Sequence, residues 1–239
     1  MAVSALRRSP TGRGPRTATA NRVGATCAIG GSLLLFLGTY LHPQSADPND
    51  AVAAFTEYAA DHLWVASHLI QLAGVALIVA ALLFLMHRVE TGRASLPARL
   101  TSSVAVASLA VAMVLQAVDG IALKRVVNAW ADAPDAGKAI AFRAAFTVRQ
   151  IEIGLACMLC LSLGSAATLC GITLLVDGVW PRWIGGVAII GGVATVVAGV
   201  AMAYTGFSDL VMLINMPASS LLLLWMLAVG VHMWRLEGG

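Results

Sequence analysis

The chain has 239 residues, of which 59% are apolar, 11% charged and 6% aromatic, and its mean hydropathy is +0.84. A soluble domain carries about 25% charged residues, so more than half of the usual solubilising charge is missing and a water-soluble globule is excluded. The net charge of +3, with no stripe of basic residues interleaved with aromatics, gives no footing for a nucleic-acid partner.

Residues 1–22 hold Arg7, Arg8, Arg13, Arg16 and Arg22 among Ser, Thr, Gly and Pro, with no acid and no apolar periodicity. This reads as a disordered basic tail. The apolar run 23–41 is longer than a signal-peptide core and lacks small residues at both cleavage positions after it, which predicts an uncleaved first span. Five more runs, 63–86, 100–123, 151–176, 183–204 and 217–234, are each about the 20 residues needed to cross a bilayer. They are continuously apolar and do not alternate in and out, so helices are expected and barrel strands are not. The expected fold is an all-α polytopic bundle of six transmembrane helices over 23–235, followed by a C-terminal tail of residues 236–239.

Two connections carry structure of their own. In the first, His42-Pro43 ends span one, and Asp50 caps a short amphipathic helix presenting Val52, Phe55 and Tyr58 to the interface. In the second, residues 124–150 continue spans three and four beyond the bilayer and meet at a turn near Ala133-Pro134, where Pro and Asp135 suit a helix start. A protruding helical hairpin follows. The apolar stretch 210–216 ahead of Pro217 reads as a dip into the interface.

Orientation follows from Lys and Arg in the connections. The tail, Arg88, Arg93, Arg99, Arg182 and Arg235 give ten basic residues on one side, against Lys124, Arg125, Lys138, Arg143 and Arg149 on the other. The expectation is a protein of the cytoplasmic membrane with both termini in the cytoplasm and the hairpin outside.

Ionisable groups within spans are expensive in hydrocarbon, which makes them functional candidates. By helical spacing, His68 and Gln71 share a face of span two with Asp61, Gln116 and Asp119 lie three apart on span three, and Arg149 and Glu152 lie three apart on span four. All six candidates fall in the outer half of the bundle. One reading is a polar vestibule in which His68, Gln71, Gln116, Asp119, Arg149 and Glu152 bind a proton, a cation or a small polar solute. The other is packing, with Arg149 paired to Asp119 or Glu152 and the remaining groups bonded across helices.

Other chemistries have thinner support. A metal site needs convergent ligands, which His68 with two carboxylates supplies, although no HExxH-type spacing is present. Haem needs histidines on different helices at one depth, and the topology permits only His42 with His68 or His87 with His232. Cys157 and Cys160 form a CxxC that resembles the outer-end motif of the quinone-coupled disulfide-forming membrane enzymes, but the first outer loop has no cysteine pair to relay electrons. All four cysteines lie inside apolar runs, where a thiol is commonly a small packing residue. Gly191, Thr195 and Gly199, and Gly164 with Thr168, recur every four residues and read as grooves for close helix contact.

No cofactor is specified by any of these patterns, and no serine nucleophile has a histidine and acid at recognisable spacing. The general character resembles multi-pass bacterial membrane proteins, with no family motif matched over a useful length. Three function classes follow: a binding or transport-like protein using the vestibule; a redox, metal or haem protein using His68, the carboxylates or Cys157 and Cys160; and a structural or interaction protein. The bilayer is the expected partner, with a small solute or ion and self-association as a homo-oligomer left open.

Overall fold

The computed structural model describes residues 15–89 and 92–235. Most of the tail, Glu90, Thr91 and residues 236–239 lie outside the described residues. Among those described, the chain is all helix and turn: α1 (Pro15–Leu41), α2 (Ala51–Ala60), α3 (Trp64–His87), α4 (Ser95–Gln116), a π-helical segment (Ala117–Leu123), α5 (Lys124–Ala131), α6 (Asp135–Asp177), α7 (Arg182–Thr205) and α8 (Asp209–Arg235). Six helical stretches are long and apolar enough to cross a membrane, so the protein is an all-α polytopic membrane bundle.

The spans form a closed ring in chain order: α1 packs on α3, α3 on α4, α4 on α6, α6 on α7, α7 on α8, and α8 returns to α1. Short connections between long antiparallel helices produce this order. Lipid tails are as apolar as leucine side chains, so close van der Waals contact must hold such a ring together. The α6–α7 seam shows how. A Cβ on Gly192 would lie 2.6 Å from the Gly164 carbonyl oxygen, so only glycine permits this approach. The predicted groove is therefore real, and Gly199 faces Cys157 and Cys160 of α6 as part of it, but the glycine against Gly164 is Gly192; Gly191 faces Leu222 of α8 instead. At the other end of the bundle the Trp225 indole donates to the Ile184 carbonyl at 2.8 Å.

Several boundaries differ from the sequence expectation. Helix α1 begins at Pro15, so residues 15–22, expected to belong to the disordered tail, are helical; once the apolar span has nucleated, adding residues ahead of it avoids the cost of a new nucleus, and Pro suits the first helical position. Residues 210–216 do not dip into an interface but form the first turns of α8, which runs through Pro217. Asp50 does cap α2, accepting from the Val52 and Ala53 amides. The face of α2 is not interfacial, however: Phe55 and Tyr58 are buried among Trp64, Leu123, Val127 and Trp130. That burial was hidden because the hairpin that supplies it is distant in sequence.

The hairpin itself is present. Helix α6 has 43 residues, or about 65 Å at 1.5 Å per residue, roughly twice the hydrocarbon thickness. Its N-terminal part and α5 stand beyond the spans, and α2 lies against them. The polar groups collect where this platform meets the bundle.

Candidate functional site at the hairpin end of the bundle

His68 enters the site from α3, about one turn past the helix start at Trp64, ahead of which Asp61 accepts the Leu63 amide at 2.8 Å. Its Nε2 lies 3.0 Å from Asp119 Oδ2, and its Nδ1 lies 2.6 Å from the Trp64 carbonyl oxygen. The imidazole is 1% exposed. Asp119 is carried by the π-helical segment, whose wider turn displaces residues from α-helical register. Its backbone carbonyl accepts from the Trp64 indole at 3.0 Å, which locks the segment to α3. Gly120 makes the approach possible, since a Cβ there would sit 2.7 Å from His68 Cβ. Asp119 Oδ1 and the nearby Gln116 Oε1 are buried without a hydrogen-bond partner.

His42 closes the same space from the end of α1. Its Nδ1 lies 2.8 Å from the Pro43 carbonyl, and its ring is 5.0 Å from that of His68 and 4.9 Å from that of Trp64. One ligand atom from each of His42, His68 and Asp119 lies within 4.8 Å of the other two. The loop holding His42 is tied down on both sides: Glu57 accepts from the Ser45 and Ala46 amides, and Asn49 donates to the Phe207 carbonyl. Burial, then the neighbouring His68 charge, hold the His42 imidazole below its ordinary pKa, partly opposed by Asp119.

Arg149 and Glu152 form a second unit on α6, bonded at 2.7 Å and both buried. The guanidinium lies over the rings of Tyr58 and Phe207, 5.5 and 5.0 Å from their centroids. Burial pushes the Tyr58 phenol up to about 12, with the Arg149 charge opposing that shift. Gln116 donates to Gln71 at 3.4 Å, a long bond. Lys124 turns away to the Tyr58, Ala59 and Asp61 carbonyls, satisfying the C-terminal end of α2.

The CxxC has a different setting. Cys157 donates to the Gly199 carbonyl at 3.2 Å, and Cys160 faces Asn215 at 3.8 Å. Both are free thiols on the side of α6 that meets α7 and α8. The haem geometry weighed from sequence also meets a specific arrangement: His42 and His68 share the space between them with a carboxylate, and His232 packs on Trp180.

Residues 23–230 match the family described as a domain of unknown function, DUF4386. The chain belongs to the DUF4386 family. Comparison with the curated proteins and with the solved structures finds no match. The matched region of this DUF4386 chain takes in every residue of the polar cluster, from His42 to Phe207.

All six sequence candidates thus lie at one end of the bundle, brought into three contacts: His68 with Asp119, Arg149 with Glu152, and Gln71 with Gln116. The sequence paired His42 with His68 only as a topologically permitted haem pair, left it out of the polar vestibule, and did not mark Tyr58, Trp64 or Phe207 as site residues. The available signal was positional, because His42 directly follows a span that ends at the level where span two begins.

Proposed function

We propose that this integral membrane protein binds a cation, a proton or a metal ion, in the polar cluster at the hairpin end of its bundle. One observation carries the reading. A carbonyl oxygen only accepts, so the short contact with Trp64 O requires a hydrogen on His68 Nδ1. In neutral imidazole Nε2 then holds a lone pair, yet it faces a carboxylate oxygen at 3.0 Å. Two acceptors at that distance repel unless a positive charge lies between them or one of them is protonated.

The inventory of groups supports the same conclusion. Two carboxyl groups, Asp119 and Glu152, share this end with the single guanidinium of Arg149, which is bonded to Glu152, and burying an uncompensated charge is costly. Binding is favoured over passage through the bundle. The buried ionisable side chains His68, Arg149 and Glu152 belong to this one end, and the buried hydroxyls elsewhere, on Ser32, Thr101, Ser108, Thr173 and Thr195, bond to carbonyls of their own helices.

Trp64 provides the readout, since its ring is 4.6 Å from His68. In lipid nanodiscs, its emission, isolated by difference against Trp64→Phe, is expected to change reversibly as pH moves between neutral and mildly acid. Asp119→Asn and His68→Gln, both folded by circular dichroism, are expected to lose that change. A wild-type response in both variants would overturn the proposal.

A further inference from the structure

We infer that the cluster is a first-row transition-metal site in which His42 Nε2, His68 Nε2 and an Asp119 carboxylate oxygen are the ligands; the inference rests on the cation-binding reading above. Three independent features of the geometry point to a metal rather than to a proton alone.

The first is convergence from separate parts of the chain. The end of α1, the first turns of α3 and the π-helical segment each deliver one donor atom, and all three atoms lie within 4.8 Å of one another. Metal bonds of about 2.0–2.2 Å bring adjacent ligand atoms to roughly 3–3.5 Å, so the widest separation closes by about 1.5 Å on binding. His42 stands outside the helix, one residue past the end of α1, where rotation of its side chain supplies that adjustment.

The second is that the outer shell is already built. A metal-bound histidine characteristically donates its other ring N–H to a carbonyl or carboxylate, which fixes its tautomer and aims the remaining lone pair at the metal. His68 Nδ1 meets the Trp64 carbonyl at 2.6 Å and His42 Nδ1 meets the Pro43 carbonyl at 2.8 Å. Both rings are thereby set with Nε2 as the free nitrogen. A simple proton-sharing pair between His68 and Asp119 needs no such arrangement at His42.

The third is the state of the carboxylate. Asp119 Oδ1 is buried and has no hydrogen-bond partner, while Oδ2 has only His68. A dication satisfies that charge directly. The nearest guanidinium does not serve it, because Arg149 is held by Glu152 at 2.7 Å.

The donor set selects the ion class. Two imidazoles and one carboxylate suit zinc, ferrous iron or their neighbours, whereas calcium and magnesium prefer oxygen alone. Three protein ligands also leave at least one coordination position open, as in catalytic rather than structural metal sites. The site is not sealed, since the Asp119 side chain remains 15% exposed.

The test uses cobalt(II) as the probe with the full-length chain, stripped by chelator, in detergent. Visible ligand-field absorption is expected to rise to one cobalt per chain and to be displaced by zinc. His42→Ala, His68→Gln and Asp119→Asn are each expected to weaken binding by more than the roughly 10–100-fold that loss of an outer-shell partner costs a metal site. His62→Ala, altering an exposed histidine outside the cluster, is expected to leave it unchanged. His42→Ala is the decisive variant, because it removes a loop side chain and spares the His68 and Asp119 pair.

Cobalt binding that survives His42→Ala undiminished overturns the ligand assignment. Absence of binding, with the pH-dependent Trp64 response retained, overturns the metal inference and leaves a proton site. Loss of both responses overturns the underlying reading as well.

Discussion

Asp119 and Glu152 are both carboxylates at the same end of the bundle, yet their surroundings differ. Glu152 has a guanidinium bonded at 2.7 Å, three positions earlier on its own helix. Asp119 has one histidine nitrogen and a bare second oxygen. Spacing alone made the first pair legible, since residues three apart on a helix are neighbours. The partner of Asp119 lies on another helix, and the sequence left Arg149 divided between the two acids. Tyr58, against the same guanidinium, provides a pH signature. Its folded phenol ionises at about 12 against an ordinary value of 10, so between these values the unfolded chain binds fewer protons than the folded one. Stability therefore falls as pH rises through that window, by on the order of 2 kcal/mol from this group. Tyr58→Phe is expected to gain on the wild type progressively over the same range, as followed by alkaline unfolding in detergent. A constant difference between the two proteins across the window would contradict the burial argument.

Among the elements, the π-helical segment Ala117–Leu123 matters most to the site. It turns Asp119 toward α3 and presents its carbonyl to the Trp64 indole. No composition or periodicity marks such a segment, because one residue of widening leaves the apolar pattern of a span intact. Gly120 is its only trace in the sequence, and glycine is common enough in membrane helices to pass as packing. Alanine is a better helix former than glycine, so local propensity predicts that Gly120→Ala stabilises the chain. The structure predicts the reverse, since the new Cβ would lie 2.7 Å from His68 Cβ. Overpacking of this kind costs about 1–3 kcal/mol. Thermal unfolding of Gly120→Ala is expected at lower temperature than wild type, together with a weakened Trp64 response to pH. A stabilised variant with the normal response would show that the π segment does not position Asp119.

At the scale of the whole molecule, the ring of six spans separates a packing end from a chemical end. Glycine contacts and tryptophan anchoring dominate away from the hairpin, while the ionisable groups gather beneath α2 and the platform of α5 and α6. By the positive-inside rule, the excess of basic residues at the opposite end predicts a hairpin outside the cytoplasm. Two single-cysteine additions test that orientation: Asp132→Cys at the hairpin tip and Val179→Cys in the turn after α6, both at exposed positions. A membrane-impermeant maleimide is expected to label the first in intact cells and the second only after permeabilisation. The opposite pattern would invert the topology and put the cation site on the cytoplasmic side.

Composition and run length determined the solvent, the helix class, the number of spans and the hairpin, because these depend on sums over 20 or more neighbouring residues that lipid constrains strongly. The same cost of polar groups in hydrocarbon marked His68 and Asp119 as exceptional. Only the tertiary structure brought His42 to them, turned Asp119 through the π segment, and buried the face of α2. Each of those depends on contacts between residues far apart in the chain, where a displacement of one or two ångströms decides whether two atoms meet, and no local pattern records distances of that size.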